Sequence, residues 1–317
     1  MFMKKNLLVA MMAFTLLIAT ACSSGTANEK EEGQLTVGVS TITLQHQFFI
    51  EIDKGIKKAA DEMGVKLLTN DPNQDLAKQV SAVEDFIQKD VDGLILMATD
   101  NAGVIPVVEE ADGLGIPVVT ADAVVDSPGV TTFIGTANYE AGEELGNYFK
   151  KYLEENKKAD EKIKVGVVTS IKSLVQQERL KGFKSALEDV NNVEFLNDQP
   201  GYDREESMRT VENILQANPD VDYIFASAEN GVLGSLAALE SAKTKDIQIL
   251  GFDVNKEAAI GIKNGHILAM IQQQPELIGE TALKTVVDAI NGKEIDKNIS
   301  VPVILMDQKN VNDHFKD

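Results

Sequence analysis

The stretch Ile116-Pro117-Val118-Val119-Thr120-Ala121-Asp122 is echoed later in the chain by Ile247-Gln248-Ile249-Leu250-Gly251-Phe252-Asp253. Each is a short apolar run closed by an aspartate. Each also follows another such run, Val91-Asp92-Gly93-Leu94-Ile95-Leu96 in the first copy and Val221-Asp222-Tyr223-Ile224-Phe225-Ala226 in the second. From the start of the earlier run to the closing aspartate is 31 residues in one copy and 32 in the other. Short, nearly continuous apolar runs bounded by turn signals read as strands covered on both faces, the condition of a parallel sheet flanked by helices. Two copies of one pattern therefore predict two similar α/β lobes.

Outward from these runs, strands are expected at Leu35–Val39, Lys66–Thr69, Gly93–Met97, Pro117–Thr120 and Thr132–Ile134 in the first half. The second half carries Ile163–Thr169, Val193–Leu196, Asp222–Ala226 and Gln248–Phe252. Helical spacing separates them: Ile52, Ile56, Ala59 and Met63; Leu76, Val80, Val83 and Ile87; Leu180, Phe183 and Leu187; Met208, Val211 and Leu215. Alternation of this kind gives doubly wound sheets. Such sheets bind ligands beyond the carboxyl ends of their strands, where Asp122 and Asp253 both fall. Singly, each acid also fits a helix cap or turn. As a matched pair they point to one shared cleft.

The composition bounds the function. Of 317 residues, 44% are apolar and 25% charged, with 30 basic against 50 acidic and a net charge of −20. A field of that sign repels phosphate backbones, which argues against a nucleic-acid partner and hence against a repressor built on the same lobes. One cysteine and three histidines exclude a disulfide framework and leave no cysteine or histidine cluster for a metal. The oxygen-rich Asn70-Asp71-Pro72-Asn73-Gln74-Asp75 lacks the central glycine and terminal glutamate of a calcium loop and reads as the turn and cap before the Leu76 helix. No cofactor is expected.

The single cysteine, Cys22, follows a basic start (Lys4, Lys5) and an apolar stretch from Leu7 to Ala19. That is the pattern of an export signal, too short for a stable membrane span. Ile18-Ala19-Thr20-Ala21-Cys22 resembles a bacterial lipoprotein processing site, which implies a signal peptide over 1–21 and lipid on Cys22. Residues 22–34 form a small, polar and charged tether. The expected product faces outward from the cell membrane, attached to it through the lipid anchor alone.

Taken in order, several stretches resemble the type I periplasmic binding proteins, in particular the ribose-binding group. They are Val39-Ser40-Thr41 with His46-Gln47-Phe48-Phe49, then Gly115 to Val119 before Asp122, Glu178-Arg179-Leu180-Lys181-Gly182-Phe183, Gly251-Phe252-Asp253 and Gln272-Gln273-Gln274-Pro275. The resemblance implies two Rossmann-like lobes joined by a three-stranded hinge, with crossings near 135–138, 272–274 and 298–301. The first lobe would take 35–135 plus 275–298, and the second 138–271 plus 301–310. It implies a substrate-binding protein, monomeric and not an enzyme, that hands a monosaccharide or polyol to the permease of an ABC importer. A sensor for a membrane receptor and an exported carbohydrate hydrolase are the alternatives.

A sugar shows hydroxyls at its rim and C–H faces above and below, so its site needs aromatic plates and fixed polar groups. Phe48, Phe49 and Tyr202 are the candidate plates, against helix-start core for the phenylalanine pair. Asp122 and Asp253 are acceptors, Arg179 a rigid multi-donor fork, and Gln273 and His46 both donate and accept. His46 stands where the family commonly has asparagine, and a capping role is its alternative. Ala123 and Ala228 stand where the ribose-binding pattern has arginine and asparagine, and Glu229 and Asn230 follow.

Overall fold

The computed structural model describes residues 33–156, 161–201, 203–244 and 246–316. The predicted signal, Cys22, most of the tether and Tyr202 lie outside the described residues. Strands and helices alternate from β1 (Thr36–Ser40) through α1 (Gln47–Met63), β2 (Lys66–Asn70), α2 (Leu76–Gln88), β3 (Gly93–Leu96), α3 (Ile105–Gly113), β4 (Val118–Ala121) and β5 (Thr132–Thr136). There follow α4 (Asn138–Glu155), β6 (Ile163–Thr169), α5 (Leu174–Ser185), β7 (Val193–Pro200), α6 (Arg204–Ala217), β8 (Tyr223–Ala226), α7 (Glu229–Ala242), β9 (Gln248–Phe252), α8 (Lys256–Lys263) and β10 (Ile267–Gln272). The chain closes with α9 (Pro275–Ile290), β11 (Asn298–Val301), β12 (Ile304–Asp307) and α10 (Val311–His314).

Two six-stranded sheets result, ordered β11-β5-β4-β3-β1-β2 and β12-β10-β9-β8-β6-β7. The first is parallel throughout. The second is parallel except where β12 runs antiparallel to β10. Position by position the sheets match, and the sequence echo has a structural cause. Asp92 accepts the Thr36 backbone N–H at 2.7 Å, and Asp222 accepts that of Lys164 at 2.8 Å, each tying the start of β3 or β8 to the first strand of its sheet. At the other end, the Asp122 N–H donates to the Ile134 carbonyl and the Asp253 N–H to that of Ile271. Both aspartates take left-handed backbone conformations, φ 63° and 67°.

The chain passes between sheets three times: at Ala137 between β5 and α4, at Gln273–Gln274 between β10 and α9, and at Pro302–Val303 between β11 and β12. The last passage lies just beyond the 298–301 that the resemblance implies, because Asn298–Val301 pairs with β5. Strand β10 is absent from the periodicity reading. Its sequence, ILAMIQ, is a short apolar run with no alternation, which a buried strand and a buried helix share. Met63 is 41% exposed, so the apolar spacing of α1 runs one turn past its buried face of Ile52, Ile56, Ala59 and Ala60.

One helix pair covers each sheet through close glycine contacts. A methyl on Gly279 would overlap the Ile52 carbonyl, and one on Gly55 the Glu276 carbonyl, so α1 and α9 meet backbone to backbone. Gly142 and Gly182 bring α4 and α5 together in the same way, against the carbonyls of Arg179 and Tyr139. Gly182→Ala should separate α4 from α5 and cost about 1–3 kcal/mol, read as a lower midpoint in thermal unfolding. An unchanged midpoint would mean the helices have room that this packing does not allow.

Candidate functional site

In the second lobe the site is built on a core of stacked rings. Phe183 lies parallel to Phe225 at 4.4 Å, Phe149 meets Tyr223 edge-on at 4.7 Å, and Phe225 meets Phe252 edge-on at 6.3 Å. The Arg179 guanidinium closes the stack, 4.5 Å from the centre of the Phe252 ring. Its side chain is 4% exposed, so all its donors need partners. Nε donates to Asn138 Oδ1 at 2.9 Å, and Nη1 donates to the Ser227 carbonyl and to Asp253 Oδ2, both at 3.1 Å. The other carboxylate oxygen of Asp253, Oδ1, accepts from Gln273 Nε2 at 2.8 Å. Protein groups thus fix the direction of both charged side chains.

Three consecutive glutamines at the second passage divide the work of holding this region. Gln272 Oε1 accepts the Val254 N–H at 2.7 Å, Gln273 reaches Asp253, and Gln274 Nε2 donates to the Pro302 carbonyl at 2.8 Å, which joins the second passage to the third. Gln273 Oε1 also accepts from the Thr136 hydroxyl at 2.8 Å, which joins it to the first. On the cleft side of the same lobe, Gln176 Oε1 accepts both the Ser170 N–H and the Ser227 hydroxyl at 2.8 Å, locking the loops after β6 and β8 together.

The first lobe offers a different half. Asp122 is partly buried, and among the described residues no hydrogen bond to its carboxylate is found. Burial pushes its pKa up to about 6; the Arg179 guanidinium opposes the rise, the Asp253 carboxylate adds to it, and His46 opposes it. Asp122 therefore lies within electrostatic range of Arg179, Asp253 and His46. His46 caps α1, its Nδ1 accepting the Phe48 N–H at 3.3 Å, which leaves Nε2 as the free ring donor. Phe48 and Phe49 follow in the first helical turn, edge to face at 5.4 Å and partly buried. Buried Gln79 steadies the loops beneath them by donating to the Thr41 and Met97 carbonyls, each at 3.0 Å.

Of the eight residues singled out from the sequence, Asp122, Asp253, Arg179 and His46 interact electrostatically, Gln273 bonds Asp253, Phe48 and Phe49 follow His46 at the start of α1, and Tyr202 lies outside the described residues. Neither aspartate is a helix cap: the helix after β9 is capped by Asn255, whose Oδ1 accepts the Ala258 N–H at 2.9 Å, and Asp122 precedes a strand. Asn138, Thr136, Ser227 and Gln176 were not singled out. They are small polar residues at strand and helix ends, a pattern shared with ordinary turns, and only the predicted passage at 135–138 hinted at two of them. Asn70–Asp75 is the expected turn and cap, with Asp75 accepting the Lys78 N–H at 3.2 Å. Among the described residues no group of three His, Cys, Asp or Glu could hold a metal ion.

Residues 37–294 match the family model described as a periplasmic binding protein domain. The chain belongs to the periplasmic binding protein family. Within it, the ribose import binding protein of Bacillus subtilis (strain 168) is 35% identical over 97% of this chain and 100% of its own length. Among solved structures, a sugar-binding ABC transporter protein from Bacillus halodurans superposes with TM-score 0.79 at 24% identity, covering 88% of this chain and 99% of that one. A solute-binding protein from Bacillus halodurans C-125 with bound myo-inositol reaches TM-score 0.76 at 25% identity, covering 90% and 98%. The fold is that of the type I group, and these relatives are a ribose import binding protein and sugar- or solute-binding proteins of ABC transporters. This periplasmic binding protein is accordingly not an enzyme, which sets the hydrolase alternative aside.

The departures from the ribose-binding pattern have local consequences in this binding protein. Ala123 packs against the first-lobe core. Ala228 precedes α7 without a side-chain cap, and Glu229 is engaged by Asn255 Nδ2 at 2.6 Å. The raised pKa of Asp122 carries a stability consequence. Unfolded, Asp122 titrates near its ordinary 3.8, while folded it titrates at about 6. Between those values the folded state binds the extra proton, so this carboxyl costs stability as pH rises through the window. Asp122→Asn removes that cost. Without added ligand its thermal midpoint should exceed that of the parent protein above about pH 7, and the gain should vanish near pH 4. A pH-independent difference in midpoint would contradict a desolvated carboxylate.

Proposed function

We propose that this chain captures a monosaccharide or polyol between its two lobes, as a monomer, and delivers it to the permease of an ABC importer. The observation that carries this reading is the inequality of the two halves: Asp253 is held on both oxygens by Arg179 and Gln273, whereas Asp122 opposite has an uncommitted carboxylate. Hydroxyls of a ligand seated on the second half supply the donors that Asp122 lacks, and that gain is available only when the lobes are closed. A ligand with contacts to both lobes shifts the population towards the closed form. The bodies that move are residues 35–135 plus 275–298, with β11 carried on the first sheet, against 138–271 plus 301–310. His46 Nε2 and the Phe48 and Phe49 rings serve the rim and face of the sugar from the first lobe, and Tyr202 is assigned a face in the second.

Ribose itself is not favoured. Ala123 and Ala228 supply no cation and no amide where the ribose-binding pattern has both, which leaves fewer donors and more room. A bulkier or less oxygenated sugar, or an inositol, suits those positions better, in keeping with the myo-inositol on the Bacillus halodurans C-125 relative. The mature protein is placed outside the cell membrane through lipid on Cys22. Among the described residues no helix is long and apolar enough to cross a membrane.

A thermal-shift and calorimetric panel of D-ribose, D-allose, L-arabinose, myo-inositol and erythritol tests the ligand class. A true ligand at about a hundred times its Kd stabilises by ~2.7 kcal/mol, and Arg179→Ala should abolish the shift. Response to amino acids with none to any carbohydrate would overturn the assignment. For the anchor, Cys22→Ser should lose incorporation of labelled palmitate and release the protein from the membrane fraction; retention of label would contradict lipidation at Cys22.

A further inference from the structure

Five residues form a closed ring of hydrogen bonds, completed by the Thr136 backbone carbonyl, that runs through two of the three passages between lobes. The Thr136 hydroxyl donates to Gln273 Oε1 (2.8 Å), Gln273 Nε2 to Asp253 Oδ1 (2.8 Å), and Arg179 Nη1 to Asp253 Oδ2 (3.1 Å). Arg179 Nε then donates to Asn138 Oδ1 (2.9 Å), and Asn138 Nδ2 returns to the Thr136 carbonyl (3.1 Å). Thr136 ends β5 and Asn138 begins α4, so both flank the first passage, while Gln273 lies in the second. Thr136, Gln273 and Arg179 are all buried.

We propose that Thr136 and Asn138 are positioning residues that set the rotamers of Asp253 and Arg179 from the backbone of the hinge, coupling hinge angle to the polar half of the cleft. This rests on the cleft being the ligand site. The direction of every bond in the ring is fixed, because Asp253 can only accept and Arg179 can only donate. That polarity fixes the amide orientations of Gln273 and Asn138. The Gln273 amide must turn its nitrogen to Asp253, so its oxygen is left for the Thr136 hydroxyl. The Asn138 amide must turn its oxygen to Arg179, so its nitrogen is left for the Thr136 carbonyl. A twist that moves Thr136 relative to Gln273 therefore strains both routes to the Arg179–Asp253 pair. By linkage, a ligand that depends on the pair's geometry biases the hinge in return.

The test needs no ligand, so it is separate from the identity of the sugar. The chain has three arginines, and the other two, Arg204 and Arg209, have exposed side chains paired with Glu257 and Glu205. In a nitrogen-labelled NMR spectrum the Arg179 Nε–H should stand apart and exchange slowly with water. Thr136→Val touches neither Arg179 nor Asp253, yet it should move that resonance and speed its exchange about tenfold, the equivalent of one lost hydrogen bond. The signals of Arg204 and Arg209 should stay in place, and Thr136→Ser should restore the parent spectrum. In the other direction, Asn138→Ala should move the Gln273 side-chain amide, which it does not contact; this second variant serves if Thr136→Val does not fold. An Arg179 Nε–H unmoved by Thr136→Val, or a Gln273 amide unmoved by Asn138→Ala, would overturn the coupling. Loss of carbohydrate binding in every panel with these NMR effects intact would instead overturn the ligand class.

Discussion

The Arg179 guanidinium faces the Asp253 carboxylate at 3.1 Å, and the ordering of the cleft depends on that pair. A buried ion pair is stable only when its remaining donors and acceptors are also satisfied, because desolvation of the two charges rivals their attraction. Here Asn138 and the Ser227 carbonyl take up Nε and Nη1 of Arg179, Gln273 takes up the second oxygen of Asp253, and Phe252 lies under the guanidinium, while Nη2 has no hydrogen bond among the described residues. The surroundings follow from this requirement. The ring stack from Phe149 to Phe252 sets the height of Arg179, the glycine contact of α4 with α5 sets its distance, and the glutamine run at the second passage sets Asp253. Arginine suits the position because one planar fork serves three partners while stacking on a ring, which a lysine ammonium cannot do.

Against this committed half stands Asp122, the same residue type at the equivalent strand end with the same left-handed backbone. Its carboxylate is desolvated and carries a pKa near 6. A charged group kept in such a place makes the protein less stable than it could be, and functional sites are where that kind of cost persists. The asymmetry between the aspartates supplies a physical reason for two lobes to close on a polyhydroxylated ligand: one side has its geometry fixed, and the other has acceptor capacity to fill.

Much of this was legible in the sequence, because its strongest signals are the ones set by burial. The paired runs ending in Asp122 and Asp253 gave the two sheets, and their Asp92 and Asp222 partners turn out to tie equivalent strands together. The returning segment Pro275 to Asn298 came from resemblance, since nothing in the periodicity of α9 tells which sheet it covers; its glycine contact with α1 does. Strand β10 escaped because a fully covered strand loses the alternation that would reveal it. In the site, charged and aromatic residues stood out, whereas Thr136, Asn138, Gln176 and Ser227 act through hydrogen bonds whose partners lie far along the chain. No local pattern encodes such partners. The strong acidity also stays outside the site, where two acids are used, and belongs to the solvated surface.

In the proposed binding mode, Asp122 and the Arg179–Asp253 pair grip one carbohydrate between the lobes. A crystal structure of the protein with the ligand that co-purifies or scores best in the carbohydrate panel tests it most directly. Sugar or polyol hydroxyls are expected within hydrogen-bond distance of both Asp122 and Asp253, with a Phe48 or Phe49 ring against a C–H face. A ligand bound elsewhere, or one that leaves Asp122 untouched, would contradict it.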